Sequence, residues 1–164
     1  MVKVIDQIYA LSPLAPAGVG RGHAVRDSAV VAARHTGAVN ASEPVQHIRP
    51  GERVEADPTP GMTRERAIEV EGLWAGLVRT EPAMTSSWHH HGDYETSIYV
   101  AQGTLRMESG PGGSEVIDAE PGDFLHVPQG AIHRESNRGE GESHLIVVRA
   151  GRGTPTINVD GPAP

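Results

Sequence analysis

The sequence predicts an all-β protein closed into a barrel or sandwich, on three observations. From residue 64 onward, short segments with β-branched or alternating apolar residues succeed one another at close intervals. The chain of 164 residues carries 20 Gly and 13 Pro, which suits many short elements joined by turns. Charged residues make up 21% and aromatics 4%, which with that Gly and Pro content argues against a coiled coil.

Taken in chain order, residues 1–60 read as an N-terminal extension. They hold one aromatic, Tyr9, and prolines at 13, 16, 44, 50, 58 and 60, so regular structure is broken repeatedly and little is available to bury. Asp27 or Ser28 can cap a short helix through Ala29–Arg34 that stops at Gly37, and the β-branched pair Val30-Val31 fits a strand nearly as well. Gly18-Val19-Gly20-Arg21-Gly22 follows prolines rather than a strand and lacks a Lys-Ser/Thr, so it reads as a connection and not a phosphate loop. Residues 61–164 read as the barrel. Strands are expected at 67–70, 73–79, 85–91, 97–101, 104–108, 115–118, 124–127, 132–135, 144–149 and 156–159. Hairpin punctuation comes from Gln102-Gly103, Pro111-Gly112-Gly113, Pro121-Gly122, Pro128-Gln129-Gly130 and the stretch from Asn137 to Gly141.

Charge and cysteine usage narrow the function classes. A formal net charge of −7 disfavours a nucleic-acid partner, because a negative surface repels phosphates. Without cysteine there is no disulfide framework and no thiolate ligand, so any metal is held by nitrogen and oxygen. The longest strictly apolar run is Ala29-Val30-Val31-Ala32-Ala33, too short for a membrane span, and no signal-peptide pattern precedes it; the expected compartment is the cytoplasm.

The nine histidines carry the chemistry. Three are consecutive, His89, His90 and His91, and in a strand the outer two share a face about 7 Å apart while His90 faces the other way. Two imidazoles so placed can converge on one ion. His133 follows on a separate expected strand, and His126 precedes it by seven residues within Phe124-Leu125-His126-Val127. His23, His35, His47 and His144 have no partners at ligand spacing and read as structural or solvated.

The stretch from Gly122 runs five residues to Pro128, one to Gly130, two to His133 and three to Asn137. From this chain's own composition that spacing is expected by chance on the order of 10⁻⁴ times. Together with His89 and His91, the pattern resembles the two signature motifs of the cupin superfamily over roughly residues 76–150. The resemblance implies a small antiparallel β-barrel of jelly-roll type around one divalent metal ion, held by two histidines and a carboxylate from the first motif and one histidine from the second. Carried onto this chain, His89, His91 and His133 match the histidine ligands.

The first motif departs from the family in two places. Where the family tends to have glycine six residues before the first histidine, this chain has Ala83. Counting back seven from the closing Gly103 reaches Thr96, with Glu95 one step off, so the carboxylate falls out of register. In the Thr96 register Glu95 faces away and the site is three histidines with the fourth position open. Glu95, Thr96 and His126 are the alternatives for completing the shell.

The expected function is a mononuclear metalloenzyme acting on a small oxygenated organic molecule, with one divalent ion per chain drawn from iron, manganese, nickel, copper or zinc. Dioxygenase-type chemistry is favoured over non-redox cyclisation or isomerisation of a polyketide-like substrate, and Glu95 or His126 supplies the general base. The alternative from another class is a metal-poor barrel that binds a small ligand or serves as a sensor. A homodimer is expected, because barrels of this kind pair through an edge strand that a proline-rich arm can cover.

Overall fold

The structure is a computed structural model that describes residues 44–164. Eleven strands follow one another: β1 (Val54–Thr59), β2 (Met62–Val70), β3 (Leu73–Thr80), β4 (His89–His90), β5 (Glu95–Gln102), β6 (Leu105–Ser109), β7 (Glu115–Ala119), β8 (Phe124–Val127), β9 (His133–Ser136), β10 (Ser143–Ala150) and β11 (Ile157–Asn158). They form a six-stranded sheet in the order β1-β2-β3-β10-β5-β8 and a five-stranded sheet in the order β11-β4-β9-β6-β7, and every pairing is antiparallel. This is the jelly-roll arrangement expected of the fold.

Alternation along the strands builds the interior. In β10, Ser143, Leu145, Val147 and Arg149 are buried while Ile146 and Ala150 are exposed, and in β5 Thr96, Ile98 and Val100 are buried between exposed or half-buried neighbours. Ile98, Val100, Leu145, Val147, Val78 and Leu125 belong to the apolar core. On the outer face of the larger sheet, Leu77, Ile146, Tyr99 and Phe124 stand in one register row, with the Tyr99 and Phe124 rings 4.8 Å apart.

Two details close the second histidine motif onto the barrel. Asn137 is buried and donates through Nδ2 to the carbonyls of Thr80 and Gly141 at 3.0 and 2.8 Å, while its Oδ1 accepts from the Gly139 N–H at 2.9 Å. Gly103 turns β5 into β6 at φ +76°, and a Cβ there would lie 2.7 Å from the Ser143 Cα, so the position has no room for a side chain.

All ten strands expected from sequence have a counterpart, but the boundaries shift. The expected strand through 85–91 is reduced to an isolated bridge from Thr85 to Ser136 and the two residues of β4. β1 was not expected at all: the sheet begins at Val54, inside the segment read as the extension. Its sequence, with Pro58 and two acids, lacks a strand signature, and it is tolerated because β1 is an edge strand with an irregular register. The helix expected at 29–34 lies outside the described residues.

Candidate metal centre

Strand pairing delivers the three histidines to one point. His89 stands in register opposite His133 across β4 and β9, and His91, two residues on, returns to the same inward face. His90 between them is only partly buried and uses its Nδ1 to accept from the Gly92 N–H at 3.1 Å. The ring centroids lie 4.4 Å apart for His89 and His133, 4.8 Å for His91 and His133, and 5.3 Å for His89 and His91. All three residues are buried, and one ring nitrogen from each lies within 4.8 Å of the others.

The partners of the outer ring nitrogens decide what the inner ones offer. His89 Nδ1 sits 2.9 Å from the Ser87 carbonyl oxygen and His133 Nδ1 2.9 Å from that of Ala131. A carbonyl only accepts, so both Nδ1 atoms carry the proton and both Nε2 atoms keep a lone pair. His91 Nδ1 sits 2.8 Å from the Thr96 hydroxyl, which completes the same arrangement when the ring nitrogen donates. His133 Nε2 is buried and meets no hydrogen-bond partner among the described residues. A buried lone pair without a partner is costly, and a cation at the centre of the cluster removes that cost. The donor set, three neutral imidazoles and no thiolate, fits a divalent transition metal.

Electrostatics keep the rings in the ligating form. Burial is the first cause that pushes the His91 pKa down from 6.5 to about 2, followed by the positive charge of Arg149, the two neighbouring imidazoles and Arg64. Burial also lowers His133, against the opposing pull of Glu135 and the Ala131 carbonyl.

The residues expected to complete the shell are placed differently. Thr96, fully buried, occupies the inward position of β5, so the threonine register holds and Glu95 faces out with its side chain 46% exposed. Glu95 is thereby removed from the neighbourhood of the ligands. Its carboxylate meets His126 Nε2 at 2.6 Å, and the His126 side chain, on the outward phase of β8, is 66% exposed and is no ligand to the cluster. His126 and His133 nevertheless line one cavity of about 220 Å³, walled mostly by Met107, Ile117, Phe124, Leu125, Val127 and Pro128. Sequence reading passed over Arg149, an inward cation at the register position opposite Thr96. The phase of Leu145 and Val147 in β10 already assigns Arg149 to the inner face.

Residues 76–149 match the cupin domain family. Among solved structures, the chain is similar to the polyketide cyclase RemF from Streptomyces resistomycificus, with a TM-score of 0.59 and 18% identity over 71% of this chain and 86% of that one. It is similar to KdgF from Halomonas sp., with a TM-score of 0.58 and 23% identity over 66% and 96% of the two chains. An oxalate oxidase in complex with the substrate analogue glycolate gives a TM-score of 0.52 and 20% identity over 62% and 57%. At these identities the likeness is one of fold. No curated protein sequence matches the chain.

Proposed function

We propose that this chain, whose residues 76–149 match the cupin domain family, is a mononuclear metalloenzyme acting on a small oxygenated organic molecule, with dioxygenase-type chemistry. The observation that carries the reading is the Nε2 of His133, without a hydrogen-bond partner among the described residues, buried beside His91 and beside His89 in the same tautomer, and at the wall of a cavity. His89, His91 and His133 would hold the ion. When bound, it supplies Lewis acidity or, as a redox metal, electron transfer with O₂.

The chain's own residues do the rest. The apolar walls of the 220 Å³ cavity suit a largely apolar substrate with a few oxygens. His126 lies on that cavity, and the carboxylate of Glu95 at 2.6 Å holds its Nε2, which orients the ring as a proton acceptor through Nδ1. Glu95 therefore positions and His126 transfers.

Oxygen uptake by the metal-loaded protein with enolic and phenolic substrates tests the reading. Consumption of O₂ that disappears in His133→Ala supports it, and in His126→Ala the rate should fall by roughly 10²–10⁴-fold with metal content unchanged. Turnover without O₂ consumption would assign the site to the non-redox reading, cyclisation or isomerisation, which the same ligand set supports. We also propose a homodimer; a monomeric mass by light scattering at micromolar concentration would refute it.

A further inference from the structure

The two sheets differ in what they turn outward. On the smaller sheet, Leu105 and Met107 of β6 are buried, and the outward Arg106 and Glu108 between and beyond them are held in bidentate ion pairs with Asp118 and Arg134. Charged side chains of this kind suit a face in water. On the larger sheet, the outward residues of β3, β10 and β5 are uncharged over two register rows, Leu77, Ile146 and Tyr99 in one and Ala75, Val148 and Ser97 in the next. Phe124 of β8 extends the first row and Ile68 of β2 the second, 74% and 44% exposed, and Ile146 on the middle strand is 40% exposed. A continuous apolar sheet face left exposed marks an interaction surface.

We infer that a second copy of this chain docks on that face, sheet against sheet. The first reason is size. The row with Leu77, Ile146 and Tyr99 is bulky and the row with Ala75, Val148 and Ser97 is shallow, and the two lie side by side along the same strands. A twofold axis running across the strands between the rows lays each bulky row on a shallow one, Leu77 over the partner's Ala75 and Tyr99 over the partner's Ser97. The second reason is charge. The row beyond the bulky one carries Arg79 and the row beyond the shallow one carries Glu95. The same axis turns these two ends toward each other, so opposite charges share each end of the interface. The third reason is area. β3, β10 and β5 are eight residues long. With their neighbours they offer a plane of roughly 600 Å² from strand rise and spacing, of the order of the roughly 800 Å² per partner that a stable interface buries. Phe124 also lines the 220 Å³ cavity, so the interface borders the proposed substrate site. The inference rests on the homodimer proposed above and names its surface, the face of the larger sheet in place of an edge strand.

Light scattering of the full chain at micromolar concentration, wild type beside Ile146→Asp, tests it. The wild type should have the mass of two chains and Ile146→Asp that of one, with the circular dichroism of the fold and the metal content unchanged. Two carboxylates buried without partners should weaken association by roughly a hundredfold or more. Equal dimerisation of both proteins would overturn the surface and leave the homodimer standing, whereas a monomeric wild type would overturn both. The chain has no cysteine, so Ile146→Cys supplies a second measurement if Ile146→Asp does not fold. A short bis-maleimide should join two Ile146→Cys chains and leave Val116→Cys chains single, Val116 being 50% exposed on the smaller sheet. Joining of Val116→Cys as readily, or of neither, would overturn the assignment. In a monomeric wild type, slow labelling of Ile146→Cys by a monofunctional maleimide would show the face covered within one chain, again against the inference.

Discussion

The Thr96 hydroxyl lies 2.8 Å from His91 Nδ1, at the sequence position where the cupin pattern places its carboxylate. The threonine oxygen stands two bonds nearer its Cα than a glutamate oxygen would and carries no charge, so its part is to hold the His91 ring through Nδ1 rather than to ligate. Removing such an outer partner ordinarily costs 10–100-fold in metal affinity. Thr96→Val, nearly isosteric, should weaken the metal by about that factor in competition with a chelator, and Thr96→Ser should restore most of it. Equal affinity in Thr96→Val would show that the hydrogen bond does not position the ring.

Ala83 adopts φ +61° and hands its N–H to the Asn137 carbonyl at 3.0 Å. A left-handed conformation costs a residue with a Cβ about 1–2 kcal/mol, which glycine does not incur. This gives a physical reason for the glycine that the cupin pattern tends to place here. Ala83→Gly should stabilise the protein, by about 1 kcal/mol after the added flexibility of the unfolded chain is subtracted, read as a higher urea midpoint. A lower midpoint would contradict the strain argument.

Much of the barrel was legible in the sequence because period-two alternation and Gly-Pro turns are local signals. The register of His89 and His91 with an intervening outward His90 needed no more than that. β1 was illegible, since an edge strand is held by its neighbour β2 rather than by an apolar pattern of its own. Glu95 shows the other limit: spacing alone allowed either Glu95 or Thr96 inward, and the choice is fixed only when β5 pairs with β10 and sets Thr96 beside Arg149. The pairing of His126 with Glu95 joins residues 31 positions apart and had no local signature.

The depressed pKa values of His91 and His133 have a consequence for the metal-stripped protein. Below pH 6.5 His91 takes up a proton in the unfolded chain, while in the fold it stays neutral down to about pH 2, so the unfolded state binds more protons in that window. Stability is therefore full above pH 6.5 and falls as the pH drops below it, by up to about 1.4 kcal/mol per pH unit for each such group. Urea midpoints of the metal-free protein should drop between pH 7 and pH 5, and His91→Gln should lessen the drop. A pH-independent midpoint would contradict burial of a neutral cluster.

The central claim is that His89, His91 and His133 form one metal site, and elemental analysis of protein purified without a metal-affinity step tests it most directly. The account predicts about one equivalent of iron, manganese, nickel, copper or zinc per chain in the wild type and its loss in His133→Ala with the fold retained. A His133→Ala protein that still holds one metal per chain with unchanged affinity would contradict the claim, and a wild-type chain that takes up none would leave the barrel as a ligand-binding module.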